Sequence, residues 1–128
     1  MIVLDTHAWV WWAADDAALS AGARSAIRSA RGLGVCTISL WEVAMLVARG
    51  RLRFDRDVLA WLEQALALPR VELLPVTPEI AVVATRLAPG FPEDPADRII
   101  AATALCHRAP LVTKDAQLRR HRELGTCW

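Results

Sequence analysis

Short apolar runs rich in β-branched residues alternate with helix-length segments along the whole chain, and this alternation narrows the fold more than any other property. Ile2 to Asp5 opens the series and suits a central parallel strand. A helix is expected from Thr6. Ser20 caps a second that runs to about Ala30, where Gly32 and Gly34 end it. Val35 to Ile38 reads as the next strand. Ser39-Leu40-Trp41-Glu42 has the spacing of a capping box, with its helix running to Gly50. Asp55 is placed to cap another helix that Pro69 stops. Val71 to Val76 is strand-like, and Thr77-Pro78 starts a helix to about Leu87. The stretch from Ala88 to Ala96 carries three prolines and a glycine and reads as a loop. Asp94-Pro95-Ala96-Asp97 starts a helix to about His107, Leu111 to Thr113 is a strand, Ala116 to His121 a short helix, and Thr126 to Trp128 an edge strand. The pattern predicts an α/β sandwich of helices around a mostly parallel sheet.

The length of 128 residues suits a single domain, residues 1–128, with one core. The chain is 55% hydrophobic, so much of it must be buried or must meet a partner. No apolar run is as long as a membrane span. Asp5 and His7 stand where a signal peptide would need a basic start and an apolar core, which predicts a cytoplasmic protein. Cys36, Cys106 and Cys127 form no C-x-x-C pair, so neither a zinc site nor a disulfide framework is expected. The net charge of +1 selects no partner class, but the arginines cluster at Arg49, Arg51, Arg53 and Arg56, and again at Arg119, Arg120 and Arg122. Phosphate contact and a solvated surface explain these clusters about equally well.

Ligands in a doubly wound sheet bind beyond the carboxyl ends of its strands, where strand order reverses. Asp5 and Asp115 fall at such ends, and Glu42 and Asp97 at the starts of helices that follow them. Each acid has a local explanation. Asp5 and Asp115 can cap helices, Glu42 can close a capping box, and Asp97 suits the positive end of a helix dipole. Local roles do not explain why all four share one sheet edge. A pocket of like charges is tolerable mainly when it holds a cation. Asp94 is better explained as the N-cap ahead of Pro95. Thr6, Ser39 and Thr113 adjoin the acids and can hold a carboxylate or a bound water in place. The tryptophans, six with no tyrosine, predict core packing or a partner-binding surface.

Four stretches carry a family resemblance: Ile2-Val3-Leu4-Asp5-Thr6-His7, Ser39-Leu40-Trp41-Glu42, Asp94-Pro95-Ala96-Asp97-Arg98-Ile99-Ile100-Ala101-Ala102, and Leu111-Val112-Thr113-Lys114-Asp115. In this order and spacing the chain resembles, over essentially its whole length, the PIN-domain ribonucleases, specifically toxins of the VapC type. The resemblance implies a three-layer α/β/α sandwich and RNA cleavage, with Asp5, Glu42, Asp97 and Asp115 as catalytic acids coordinating magnesium or manganese. It also implies a small antitoxin partner and a homodimer. Asp5 and Asp97 would be the principal metal ligands, and Arg98, Arg49 and Arg51 would hold flanking phosphates. A non-catalytic RNA- or antitoxin-binding module of the same fold is the main alternative. A phosphoacceptor receiver domain is disfavoured, because Leu74-Pro75-Val76-Thr77 offers no aspartate after the third strand.

Overall fold

The computed structural model describes residues 1–128. The chain runs β1 (Ile2–Leu4), α1 (Thr6–Ala13), α2 (Ala21–Ser29), β2 (Leu33–Cys36), α3 (Thr37–Ala48), α4 (Val58–Leu66), β3 (Val71–Leu74), α5 (Pro78–Thr85), α6 (Pro95–Cys106), β4 (Leu111–Val112), α7 (Ala116–Arg119) and β5 (Thr126–Cys127). All five strands are parallel, in the order β3-β2-β1-β4-β5. The chain therefore winds outward from β1 to one edge, returns to the centre, and winds outward again. The reversal lies between β1 and β4.

Side-chain alternation divides the core into the two outer layers. Leu4, Val35 and Val112 point to one face, where they meet Trp9, Ile27, Val43 and Trp61 from α1 to α4. Val3, Cys36, Leu74 and Leu111 point to the other, against Ile100, Ala101, Ala104 and Leu118 from α6 and α7. Helix α5 packs on the outside of α6 through Ile80 and Ala84. The result is a three-layer α/β/α sandwich. In the first layer Trp61 is sandwiched, stacking on Phe54 at 4.2 Å and meeting Trp9 edge-on at 5.3 Å. No helix is long and apolar enough to cross a membrane.

Local chemistry explains most helix starts. Ser20, Thr77, Asp94 and Asp115 each accept a backbone N–H of the first turn. Elsewhere the structure corrects the sequence expectation. Strand β2 is Leu33–Cys36, two residues earlier than expected, because it pairs in register with both β1 and β3. Gly34 is thus not a helix terminator. It lies inside the sheet, where a Cβ would come within 2.5 Å of Leu74 Cδ1. Helix α3 consequently starts at Thr37, and Ser39 and Glu42 form no capping box. Ser39 is a buried residue of the first turn, and Glu42 lies a turn beyond the helix start. Asp57 rather than Asp55 caps α4, and Asp55 instead binds Arg56. Strand β3 stops at Leu74 because Pro75 has no N–H for the ladder.

Gly22 lets α2 approach the last residue of the chain. A Cβ there would stand 2.6 Å from the backbone oxygen of Trp128. Gly22→Ala would ordinarily favour a helix by about 1 kcal/mol. Here it is expected to lower the melting temperature, whereas Gly125→Ala, with open space around it, should leave it nearly unchanged. Thermal unfolding followed by circular dichroism compares the two.

Candidate active site

Parallel pairing of β1 with β4 places Asp5 beside Thr113, although they are 108 residues apart. The Asp5 backbone N–H donates to Val112 O at 3.0 Å. Its carboxylate is then fixed at both oxygens. Oδ1 accepts the Thr6 N–H at 2.8 Å, and Oδ2 accepts the Thr113 hydroxyl at 2.7 Å. A carboxylate has about four acceptor positions, so each oxygen keeps a lone pair for a ligand. Thr113 Oγ1 in turn accepts the Asp115 N–H, which sets the turn leading into α7.

Glu42 is held from the side. Thr6 Oγ1 lies 2.5 Å from Glu42 Oε1 and 2.9 Å from Ser39 Oγ. One hydroxyl carries one proton, so Thr6 donates to the carboxylate and accepts from Ser39. A relay of two buried hydroxyls therefore orients Glu42, which explains why these residues are not merely a helix cap. Asp94 caps α6 through Oδ1 to Ala96 N–H, and Asp115 caps α7 through Oδ1 to Gln117 and Leu118. Each leaves its second oxygen free of protein partners. Asp97 sits in the first turn of α6 and has no hydrogen bond or ion pair from the protein.

These five acids, Asp5, Glu42, Asp94, Asp97 and Asp115, line one cavity of about 690 Å³ at the carboxyl edge of the sheet, beside the reversal point. The protein forms three ion pairs, and none involves them. Their charges therefore act on one another. Burial, followed by the fields of Asp5, Asp94, Glu42 and Asp115, pushes Asp97 up to about 7. Burial also raises Asp5, against the lowering effect of its bonds from Thr113 and Thr6. Glu42 is raised for the same reason, with Asp5 and Asp94 adding to the shift. No three of these side chains converge closely enough to ligate one ion directly.

The sequence-predicted set is thus gathered, with Thr6, Ser39 and Thr113 behind it. The arginines divide. Arg51 lines the cavity; Arg49 does not. Arg98 is used elsewhere, donating to Ala84 O at 2.9 Å and Pro92 O at 3.1 Å, where it fastens α5 and the preceding loop to α6. Sequence reasoning missed His7, Trp11, Met45, Leu46 and Lys114 on the cavity wall. Lys114 carried a signal, being the sole lysine and adjacent to Asp115. The others gave none apart from sharing α1 or α3 with an acid.

The PIN domain family model matches residues 2–124. The chain belongs to the PIN-domain family. It is 43% identical over 121 residues to Ribonuclease VapC22 of Mycobacterium tuberculosis, covering 94% of this chain and 92% of that protein. Its fold is similar to that of VapBC2 from Rickettsia felis bound to a promoter DNA fragment, with TM-score 0.72 and 18% identity over 98% of this chain and 97% of that one. A toxin–antitoxin complex from Klebsiella pneumoniae is similar too, with TM-score 0.68 and 16% identity over 97% and 95% of the two chains. At these identities the likeness concerns the PIN fold.

The raised acids make stability depend on pH with a defined sign. Asp97 binds its proton more tightly in the folded state, so its contribution is present below 3.8 and is lost as the pH rises to about 7. In chelator-treated protein, Asp97→Asn is expected to raise the melting temperature at pH 7.5 by about 3 °C, after allowance for partial solvent screening. Near pH 4 the gain should vanish. Equal gains at both pH values would show that repulsion is not its source.

Proposed function

We propose that this protein is a metal-dependent endoribonuclease and the toxin of a toxin–antitoxin pair, acting in the cytoplasm as a single domain over residues 1–128. The observation that carries the reading is the concentration of five acids around one cavity with no ion pair to balance them. Such a site disfavours the folded state unless a cation fills it. Similarity to a VapC ribonuclease over nearly the whole chain supports RNA as the substrate.

The donor set fits magnesium or manganese. All the donors are carboxylate oxygens, and their spacing suits an ion that keeps part of its water shell better than a closed protein cage. Asp5 and Asp97 would hold the ion, directly or through water. When bound, it would screen phosphate charge and lower the pKa of water. Glu42, steadied by Thr6 and Ser39, and Asp115, steadied by its cap on α7, orient the attacking water opposite the leaving oxygen. Cleavage in this manner leaves a 5′-phosphate and a 3′-hydroxyl. Arg51 and Lys114, on the cavity wall, hold flanking phosphates.

Exposed apolar side chains support the partner reading. Trp41 on α3 is 57% exposed and Val82 on α5 is 46% exposed, as expected of surfaces that an antitoxin or a second copy in a homodimer covers.

The expected outcome is RNA cleavage that needs magnesium or manganese and stops on chelation, together with a higher melting temperature in millimolar metal. Asp5→Asn should lose cleavage by about 100-fold or more, the scale of removing a charge-stabilising group from an active site, while its circular dichroism spectrum is unchanged. Cleavage indifferent to chelator would overturn the metal site. Metal-stabilised protein that leaves RNA intact would favour the non-catalytic binding module.

A further inference from the structure

One wall of the cavity differs in chemistry from its acidic floor. His7 and Trp11 share a face of α1, one turn apart, and Lys114 approaches from the turn after β4. Arg51 and the apolar side chains of Met45 and Leu46 also line the cavity. Trp11 is half-buried and braced. Its ring lies 5.6 Å from His7 and 5.8 Å from Trp128, both tilted, and it packs against the first-layer core. Lys114 Nζ sits over the indole at 5.7 Å. Core packing covers only part of this side chain. Its neighbour Trp9 is fully buried and fills the core, while Trp11 leaves part of a rigid π surface beside the acids.

We propose that Trp11 is a base-stacking platform that selects an unpaired nucleotide next to the scissile phosphate, with Lys114 moving off the indole to contact a neighbouring phosphate. This rests on the ribonuclease reading. Every base has a π face, and an indole held on two sides loses little entropy when a base stacks on it. A base within a duplex has both faces occupied by its neighbours and cannot use the platform. Lys114 is exposed and has no carboxylate partner, so its displacement breaks only a cation–π contact. The arrangement makes Trp11 a positioning and specificity residue. It selects single-stranded RNA at the cleavage point without reading base identity.

The test uses a fluorescein-labelled RNA of about 12 nucleotides, within the range of single-stranded site sizes, carrying a cleavage site mapped with the wild-type protein and manganese. One abasic position is stepped along it. A single position beside the scissile phosphate should raise KM about tenfold for the wild type, the scale of one base–aromatic stack. The same abasic RNA should cost Trp11→Leu nothing further, Trp11→Phe should recover most of the wild-type KM, and kcat should change little. Lys114→Ala should raise KM less at high salt than at low salt. If no abasic position matters to the wild type, the platform is overturned whether or not Trp11→Leu folds. Folded Trp11→Leu with wild-type KM also overturns it, and leaves the surface to a protein partner. Neither result touches the nuclease reading, which fails separately if the wild type cleaves no RNA.

Discussion

The pairing of β1 with β4 is the contact on which the site depends. It joins the two halves of the sheet where the winding order reverses, and it pairs the first strand with a segment more than a hundred residues later. Register decides the outcome. With Leu4 opposite Val112, the next residues on each strand are Asp5 and Thr113, and their side chains bond at 2.7 Å. A slip of one residue would turn Asp5 toward the helical layer and leave a buried charge without a partner. Fully buried pairs on both faces hold the register, Leu4 with Val112 on one and Val3 with Leu111 on the other. The core that stabilises the fold thus also sets the position of the central acid.

Around Asp5 the protein accepts electrostatic strain. Five carboxylates share a cavity, and the positive groups nearest them, Arg51 and Lys114, stay on the wall without forming ion pairs. The fold limits the strain by directing hydrogen bonds at the acids it must keep in place. Asp5 receives two, Glu42 receives one through the Ser39–Thr6 relay, and Asp94 and Asp115 receive backbone N–H groups from the helices they cap. Asp97 receives none, and burial together with the fields of the neighbouring acids raises its proton affinity, to about 7.

Much of this was legible in the sequence, for physical reasons that can be named. Strand–helix alternation and the rule of carboxyl-edge binding point to Asp5 and Asp115, since both follow short apolar runs that read as strands. Glu42 lines the same cavity as Asp5 and Asp115, and the capping box that offered a purely local account of it does not form. The capping-box spacing from Ser39 matched, but sheet pairing on both sides of β2 pulled the helix start back to Thr37. Long-range pairing overrode a short-range signal. Arg98, next to Asp97 in sequence, donates to the carbonyls of Ala84 and Pro92, contacts that no sequence pattern signalled. Trp11 and His7 were not legible as wall residues, because their role depends on which face of α1 the core leaves open.

The double use of the acids determines which substitutions are informative. Asp5, Asp94 and Asp115 each give an oxygen to a helix N-terminus, so they act in the fold as well as in the cavity. Replacing one by alanine removes a cap, at about 1 kcal/mol, along with the charge. Asparagine keeps an oxygen for the cap and deletes only the charge. A loss of function in the alanine variant alone would thus speak to helix stability, whereas the asparagine variant isolates the electrostatic role. Asp97 and Glu42 cap nothing, and for them the two substitutions should agree more closely. The same reasoning separates Thr6 from Thr113. Thr6→Ser would keep the hydroxyl between Ser39 and Glu42, while Thr6→Val would leave the Ser39 hydroxyl buried without its acceptor and Glu42 without its donor. A hydroxyl that looks secondary in the sequence therefore governs the orientation of an acid on another element.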